Sequence, residues 1–74
     1  MFKRFRELRE DRDLTQSQVA AYLNLSQTGY SKYETGENEI PIKSLVQLSI
    51  LYGTSVDYLL GLTDVIEPYK RGSR

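Results

Sequence analysis

The chain has 74 residues, equal numbers of acidic and basic side chains, and neither cysteine nor histidine. That length makes one small domain; without cysteine there is no disulfide or thiolate metal site, and without histidine the commonest general base and metal ligand is gone, so no enzyme, cofactor or metal site is expected. No apolar run approaches the roughly 20 residues needed to span a bilayer, and Met1-Phe2-Lys3-Arg4 leads into further charges rather than a signal-peptide core, so no membrane contact and a cytoplasmic location are expected.

The first predicted helix runs from Phe2 to Arg12, with Phe5 and Leu8 facing inward at i, i+3 and Phe2 extending the stripe. Asp13 ends it and Leu14 turns back to the core. Thr15 then stands three residues before Gln18, the spacing of a capping box in which each side chain takes the other's backbone amide. Val19, Ala20 and Leu23 share one face of this second helix, and Asn24, tolerant of a left-handed conformation, closes it. Ser26 is the N-cap of a third helix, on which Tyr30 and Tyr33 recur at i, i+3. Two helices joined by so short a turn must cross closely, and the small Ala20 permits it. The side chains left outside are Gln27, Thr28, Ser31 and Lys32, all polar, with lysine the only charge between Thr15 and Tyr33. That is the shape of a helix-turn-helix, whose second helix enters the DNA major groove.

Gly36 stops the third helix, and Pro41 suits the first turn of a fourth, running to about Tyr52. Ile42, Leu45, Leu48, Ser49 and Tyr52 are expected on its inner face. Gly53 ends it, Ser55 caps a fifth helix over Val56–Leu60, and Gly61 closes that. The fold class expected is all-α, five helices around one core. The domain is placed at 1–64, and residues 65–74, with Pro68, Gly72 and three basic side chains, read as a flexible tail.

LTQSQVAAYLNLSQTGYSKYETGE resembles the helix-turn-helix of the Cro/CI-type, xenobiotic-response-element-like family of bacterial and phage regulators, and the likeness continues through IPIKSLVQLSILYGTSVDYLLG. Asp13 and Asn24 depart from the family's usual glycines. The resemblance implies a lambda-repressor-like domain that binds double-stranded DNA, and it implies a repressor on a palindromic operator. It also implies an Arg9–Glu34 ion pair tying the first helix to the third, and backbone phosphate contacts from Gln16, Thr35, Asn38 and Lys43.

The outer face of the third helix has suitable chemistry for base edges. Gln27 has the group for a bidentate contact to adenine, Lys32 suits guanine or a phosphate, the Thr28 methyl can meet a thymine methyl, and Ser31 can donate or accept. Zero net charge implies weaker non-specific binding than a basic domain would show. The six tyrosines do not make a stacking platform for single strands, because Tyr30, Tyr33 and Tyr52 fall at core spacing with their hydroxyls expected to reach the surface. Ile50, Tyr58, Leu62, Val65 and Ile66 offer apolar area for a two-fold homodimer. The alternative is a protein-interaction module on the same scaffold, antitoxin-like or anti-regulator, whose mark would be acid or apolar residues on the third helix's outer face; that stretch carries neither.

Overall fold

The structure, a computed structural model, describes residues 3–67. Its five helices are α1 (Lys3–Asp11), α2 (Gln16–Tyr22), α3 (Gln27–Thr35), α4 (Ile42–Tyr52) and α5 (Val56–Leu59), with no strand among the described residues. The expected contribution of Phe2 to the first helix, and Tyr69 with the rest of the chain beyond residue 67, lie outside the described residues.

Each helix of the central pair starts where its capping residue dictates. The Thr15 hydroxyl accepts from the Gln18 amide at 3.1 Å while the Gln18 side chain accepts from the Thr15 amide at 2.8 Å. Ser26 accepts from the Gly29 amide at 3.0 Å. A Cβ on residue 29 would come within 3.2 Å of that capping oxygen, so glycine lets the cap close. Asp13 and Asn24 take the left-handed conformation, with φ of 56° and 61°. Both are of the residue type that tolerates it.

One core unites the helices: Phe5 and Leu8 from α1, Val19 and Ala20 from α2 with Leu23 behind them, Tyr30 from α3, Leu45, Leu48 and Tyr52 from α4, and Leu59 from α5. Three expectations change. Pro41 is not inside α4 but is its N-cap, with ψ of 152°, and its carbonyl accepts from Leu45. Ile42 is 78% exposed and Ser44 is buried in its stead. The inner face is therefore centred on Ser44, Leu45, Leu48 and Tyr52, while Ser49 is half-buried and turns its hydroxyl to the Val46 carbonyl. Ile42 stands on the first turn, whose side chains lean toward the helix N-terminus and away from the core. The third change concerns Tyr30 and Tyr52, whose hydroxyls are buried and do not reach solvent.

The chain after α5 is fixed by α1. The Arg4 guanidinium lies over the Tyr58 ring at 4.0 Å, donates to the carbonyls of Tyr58 (2.9 Å) and Thr63 (2.6 Å), and pairs with Asp64 at 2.7 Å. The buried Thr54 hydroxyl donates to the Ile66 carbonyl. The boundary expected at 64 thus falls within a segment held at two points. Among the described residues, no helix is long and apolar enough to cross a membrane.

Candidate nucleic-acid interface

The α3 helix is anchored by Tyr30, which is fully buried, and by the half-buried Tyr33. With those residues inside, Gln27, Thr28 and Lys32 are exposed on the opposite side and Ser31 is half-buried beside them. All four sequence-predicted base-contact residues line one open concavity of about 280 Å³, together with Gln16 from α2 and Glu37 from the loop after α3. Gln16 comes from the phosphate-contact set. Glu37 was no part of the expected site; it follows the turn at Gly36, which has φ of 85°, and lines the concavity that Lys32 also lines.

Behind the concavity runs a polar chain. Arg9 Nε donates to Glu34 Oε2 at 2.7 Å and its Nη2 to Oε1 at 3.3 Å, while Nη1 donates to the Leu14 carbonyl. This is the ion pair implied by the family resemblance. Both side chains are nearly buried, at 11% and 6% exposure, so the pair is not the solvent-screened kind. Gln16 Nε2 donates to the same Glu34 Oε1 at 3.0 Å. Gln27 is steadied in turn, its Oε1 accepting from the Ser17 hydroxyl at 2.9 Å and its Nε2 lying 3.5 Å from Gln16 Oε1.

Burial alone would raise the Glu34 carboxyl, but the hydrogen bonds from Arg9 and Gln16 and the arginine's charge hold it below its usual range. The Glu34 hydrogen bond raises Arg9 in return, against the cost of burial. Burial, reinforced by the Glu34 charge, pushes the Tyr30 phenol far up and that of Tyr52 to about 12. Neither buried hydroxyl meets a partner at full hydrogen-bonding geometry, but the Tyr30 hydroxyl faces the Glu34 carboxylate closely enough to act as a weak hydrogen bond to it, whereas Tyr52 feels Glu34 through charge alone.

The amide of Gln27 keeps its reading capacity inside this chain. Its oxygen has a second lone pair and its nitrogen a second hydrogen, enough for the paired contact that adenine offers. Gln16 likewise has one amide hydrogen free for a phosphate. Thr35 is more committed, since its hydroxyl donates to the Lys32 carbonyl and accepts from the Glu37 amide. Asn38 and Lys43 are exposed on the loop and the first turn of α4.

Counting basic residues in the sequence misses what the arginines do. Arg4 and Arg9 are bound as described, Arg6 pairs with Glu10 on the α1 surface, and Arg12 donates to the Tyr52 carbonyl at 2.6 Å with its guanidinium 5.7 Å from the Tyr52 ring. Among the side chains described, Lys32 and Lys43 are the cations without an internal partner.

The apolar residues expected at a dimer surface divide. Ile50 is 64% exposed and Leu62 72%, with Val65 and Ile66 also exposed. Tyr58 is half-buried under Arg4 and gives one ring face to that contact. Ile42 and Val46, both exposed, continue the Ile50 stripe along α4 at i, i+4, i+8.

Residues 5–59 match the profile of a family described as helix-turn-helix. Among curated proteins, the chain is 41% identical over 66 residues to the uncharacterised HTH-type transcriptional regulator YobD of Bacillus subtilis, covering 89% of this chain and 59% of that one. It is 36% identical over 58 residues to the SPbeta prophage-derived regulator YonR of the same organism, covering 78% and 54%. It is also 33% identical over 64 residues to the HTH-type transcriptional activator BcrR of Enterococcus faecalis, covering 86% and 31%. The chain thus spans little more than half the length of the first two relatives, and less of the third. No solved structure gives a significant match. A profile that runs from Phe5 on α1 to Leu59 on α5 takes in every helix and the whole buried core, and on that ground the chain belongs to the helix-turn-helix family.

Proposed function

We propose that this chain is a sequence-specific, double-stranded-DNA-binding transcriptional regulator that acts by binding rather than catalysis. The α3 helix enters the major groove. Gln27, Thr28, Ser31 and Lys32 meet base edges there, and Gln16, Thr35, Asn38 and Lys43 meet the flanking phosphates. The observation that carries this reading is the outer face of α3: polar, free of acid, open to solvent and gathered around one concavity. Relatives named as transcriptional regulators support it.

In this reading the chain is a cytoplasmic repressor. It binds a palindromic operator as a homodimer that sets two α3 helices about 34 Å apart. The dimer buries Ile50, Leu62, Val65 and Ile66, with the free face of Tyr58 at the edge of the contact. The prophage derivation of YonR favours a repressor of the phage or mobile-element kind, and the activator name of BcrR marks the sign of regulation as the point to test.

The experiment is selection of bound duplexes from a random pool, followed by titration of the winning site with wild type and Gln27→Ala. A palindromic motif whose preference at one base relaxes in the variant supports the reading. Equal affinity of both proteins for every duplex removes it. A reporter driven by the selected site gives the sign, since a repressor lowers its output.

A further inference from the structure

Glu37 is the one acid in the recognition concavity, and a carboxylate facing DNA calls for a reason. Its position is not loose. Gly36 turns the chain with a left-handed φ, the Glu37 amide donates to Thr35 Oγ1 at 3.4 Å, and the Asn38 amide donates to the Lys32 carbonyl at 3.2 Å. The turn that carries Glu37 therefore closes on the residue that carries Lys32. The two opposite charges line the same concavity, yet they form no ion pair with each other, and neither side chain has a partner among the described residues.

We propose that Lys32 and Glu37 together read a single G·C pair in the operator, lysine donating to guanine O6 and N7 and the Glu37 carboxylate accepting from cytosine N4. The inference rests on the reading of α3 as the major-groove helix and adds a specificity-determining residue to it. A carboxylate has only acceptors and a lysine only donors. Phosphates repel the carboxylate, so its partners in a duplex are the amino groups in the major groove, cytosine N4 and adenine N6. The order of groups across the pair selects between them. A G·C pair presents two neighbouring acceptors, N7 and O6, and then the cytosine donor at the far side. In an A·T pair the donor sits between two acceptors, N7 and the thymine O4, so a carboxylate reaching N6 meets lone pairs on either hand. A cation and an anion side by side match the first order and clash with the second.

The test compares motifs selected from a random duplex pool by wild type, Glu37→Ala, Glu37→Gln and Lys32→Ala, with folding of each checked by thermal melting. In the expected result, wild type fixes a G·C pair in each half-site and Lys32→Ala weakens that preference. Glu37→Ala lowers the preference for that pair by roughly 5- to 20-fold with the remaining positions intact. Glu37→Gln, whose amide oxygen still accepts, keeps part of it. The proposal is overturned if both Glu37 variants select the wild-type motif unchanged and merely bind every duplex more tightly, for then Glu37 acts only by repelling phosphates. It is overturned by itself if the position sensitive to Lys32→Ala is not a G·C pair. A wild-type pool that yields no motif at all removes the major-groove reading and this inference with it.

Discussion

The α2–α3 unit and the junction of α1 with the segment after α5 are built in different ways. In α2–α3 the organising bonds are local: Thr15 with Gln18, Ser26 with Gly29, and a turn short enough that a small Ala20 sets the crossing. Charge is nearly absent, and the outer face stays open. At the junction the organising residue is Arg4, which reaches partners 54 to 60 residues away and binds carbonyls, a ring and a carboxylate at once. Arg9 and Arg12 work in the same way on Glu34 and on the end of α4. The domain thus uses its arginines to hold itself together, and meets DNA in the proposed contact with neutral polar groups and a few unengaged charges. For a chain of zero net charge this matters. The basic residues of α1 look like a DNA-binding reserve, yet four arginines have internal partners.

The contrast can be broken at its strongest point by removing the Arg9–Glu34 pair, which crosses between the two regions. Glu34→Ala leaves the Arg9 cation nearly buried and unpaired, and a loss of about 3 kcal/mol is expected. A small domain without staples has about 3 to 5 kcal/mol in all, so the variant should keep about 0 to 2 kcal/mol and unfold at a far lower midpoint than wild type in a denaturant titration. The same pair sets the acid limit. Because the Glu34 carboxyl is depressed on folding, its contribution is complete above its ordinary value of 4.5 and is lost as the pH falls through the lower folded value. The melting temperature of wild type should drop with acidification in that window, and Glu34→Gln, examined where it still folds, should show a shallower drop.

Next in size is the open side. Gln27→Ala should weaken the selected operator by about 1 to 3 kcal/mol while leaving other duplexes alone. Its stability should stay within about 0.5 kcal/mol of wild type, since Gln27 is exposed. Arg4→Ala gives the mirror image, a stability loss of about 1 to 2 kcal/mol from the ring contact and carbonyl bonds, with base preference unchanged in duplex selection. If Arg4→Ala altered the motif instead, the separation of the two regions would be wrong.

The smallest effect sharpens the comparison most. With Lys43 the one unengaged cation placed at a phosphate among the described residues, their share of the salt dependence of binding should be shallow, with a log–log slope of about −1 per protomer. Lys43→Ala should reduce that slope by about 1 without changing base preference. A slope several times steeper that persists with Lys3, Lys70, Arg71 and Arg74 replaced by alanine would mean that arginines leave their internal partners to meet phosphates.

Much of this was readable from the residues. Caps, turns and the outer face of α3 depend on neighbours three or four positions away, and those distances are fixed by helix geometry. That is why Thr15, Ser26, Gly36 and Ser55 begin or end helices as expected, and why Gln27, Thr28 and Lys32 stand outside. The Arg9–Glu34 bond was reachable only through resemblance, since 25 residues separate its partners. On α4, a stripe counted from Ile42 gives the wrong inner edge. Either of two adjacent helix faces satisfies an apolar i, i+3 count, and only the direction of approach of the rest of the core chooses Ser44 over Ile42.

The order of helices, most of their boundaries and the acid-free outer face of α3 were therefore determined by sequence alone, because each follows from local hydrogen bonding and apolar spacing. The tertiary structure decided which charges remain available. The reach of an arginine to carbonyls half a chain away, and the placing of Glu37 in the concavity that Lys32 lines, depend on how loops close in space, and no spacing along the chain encodes that.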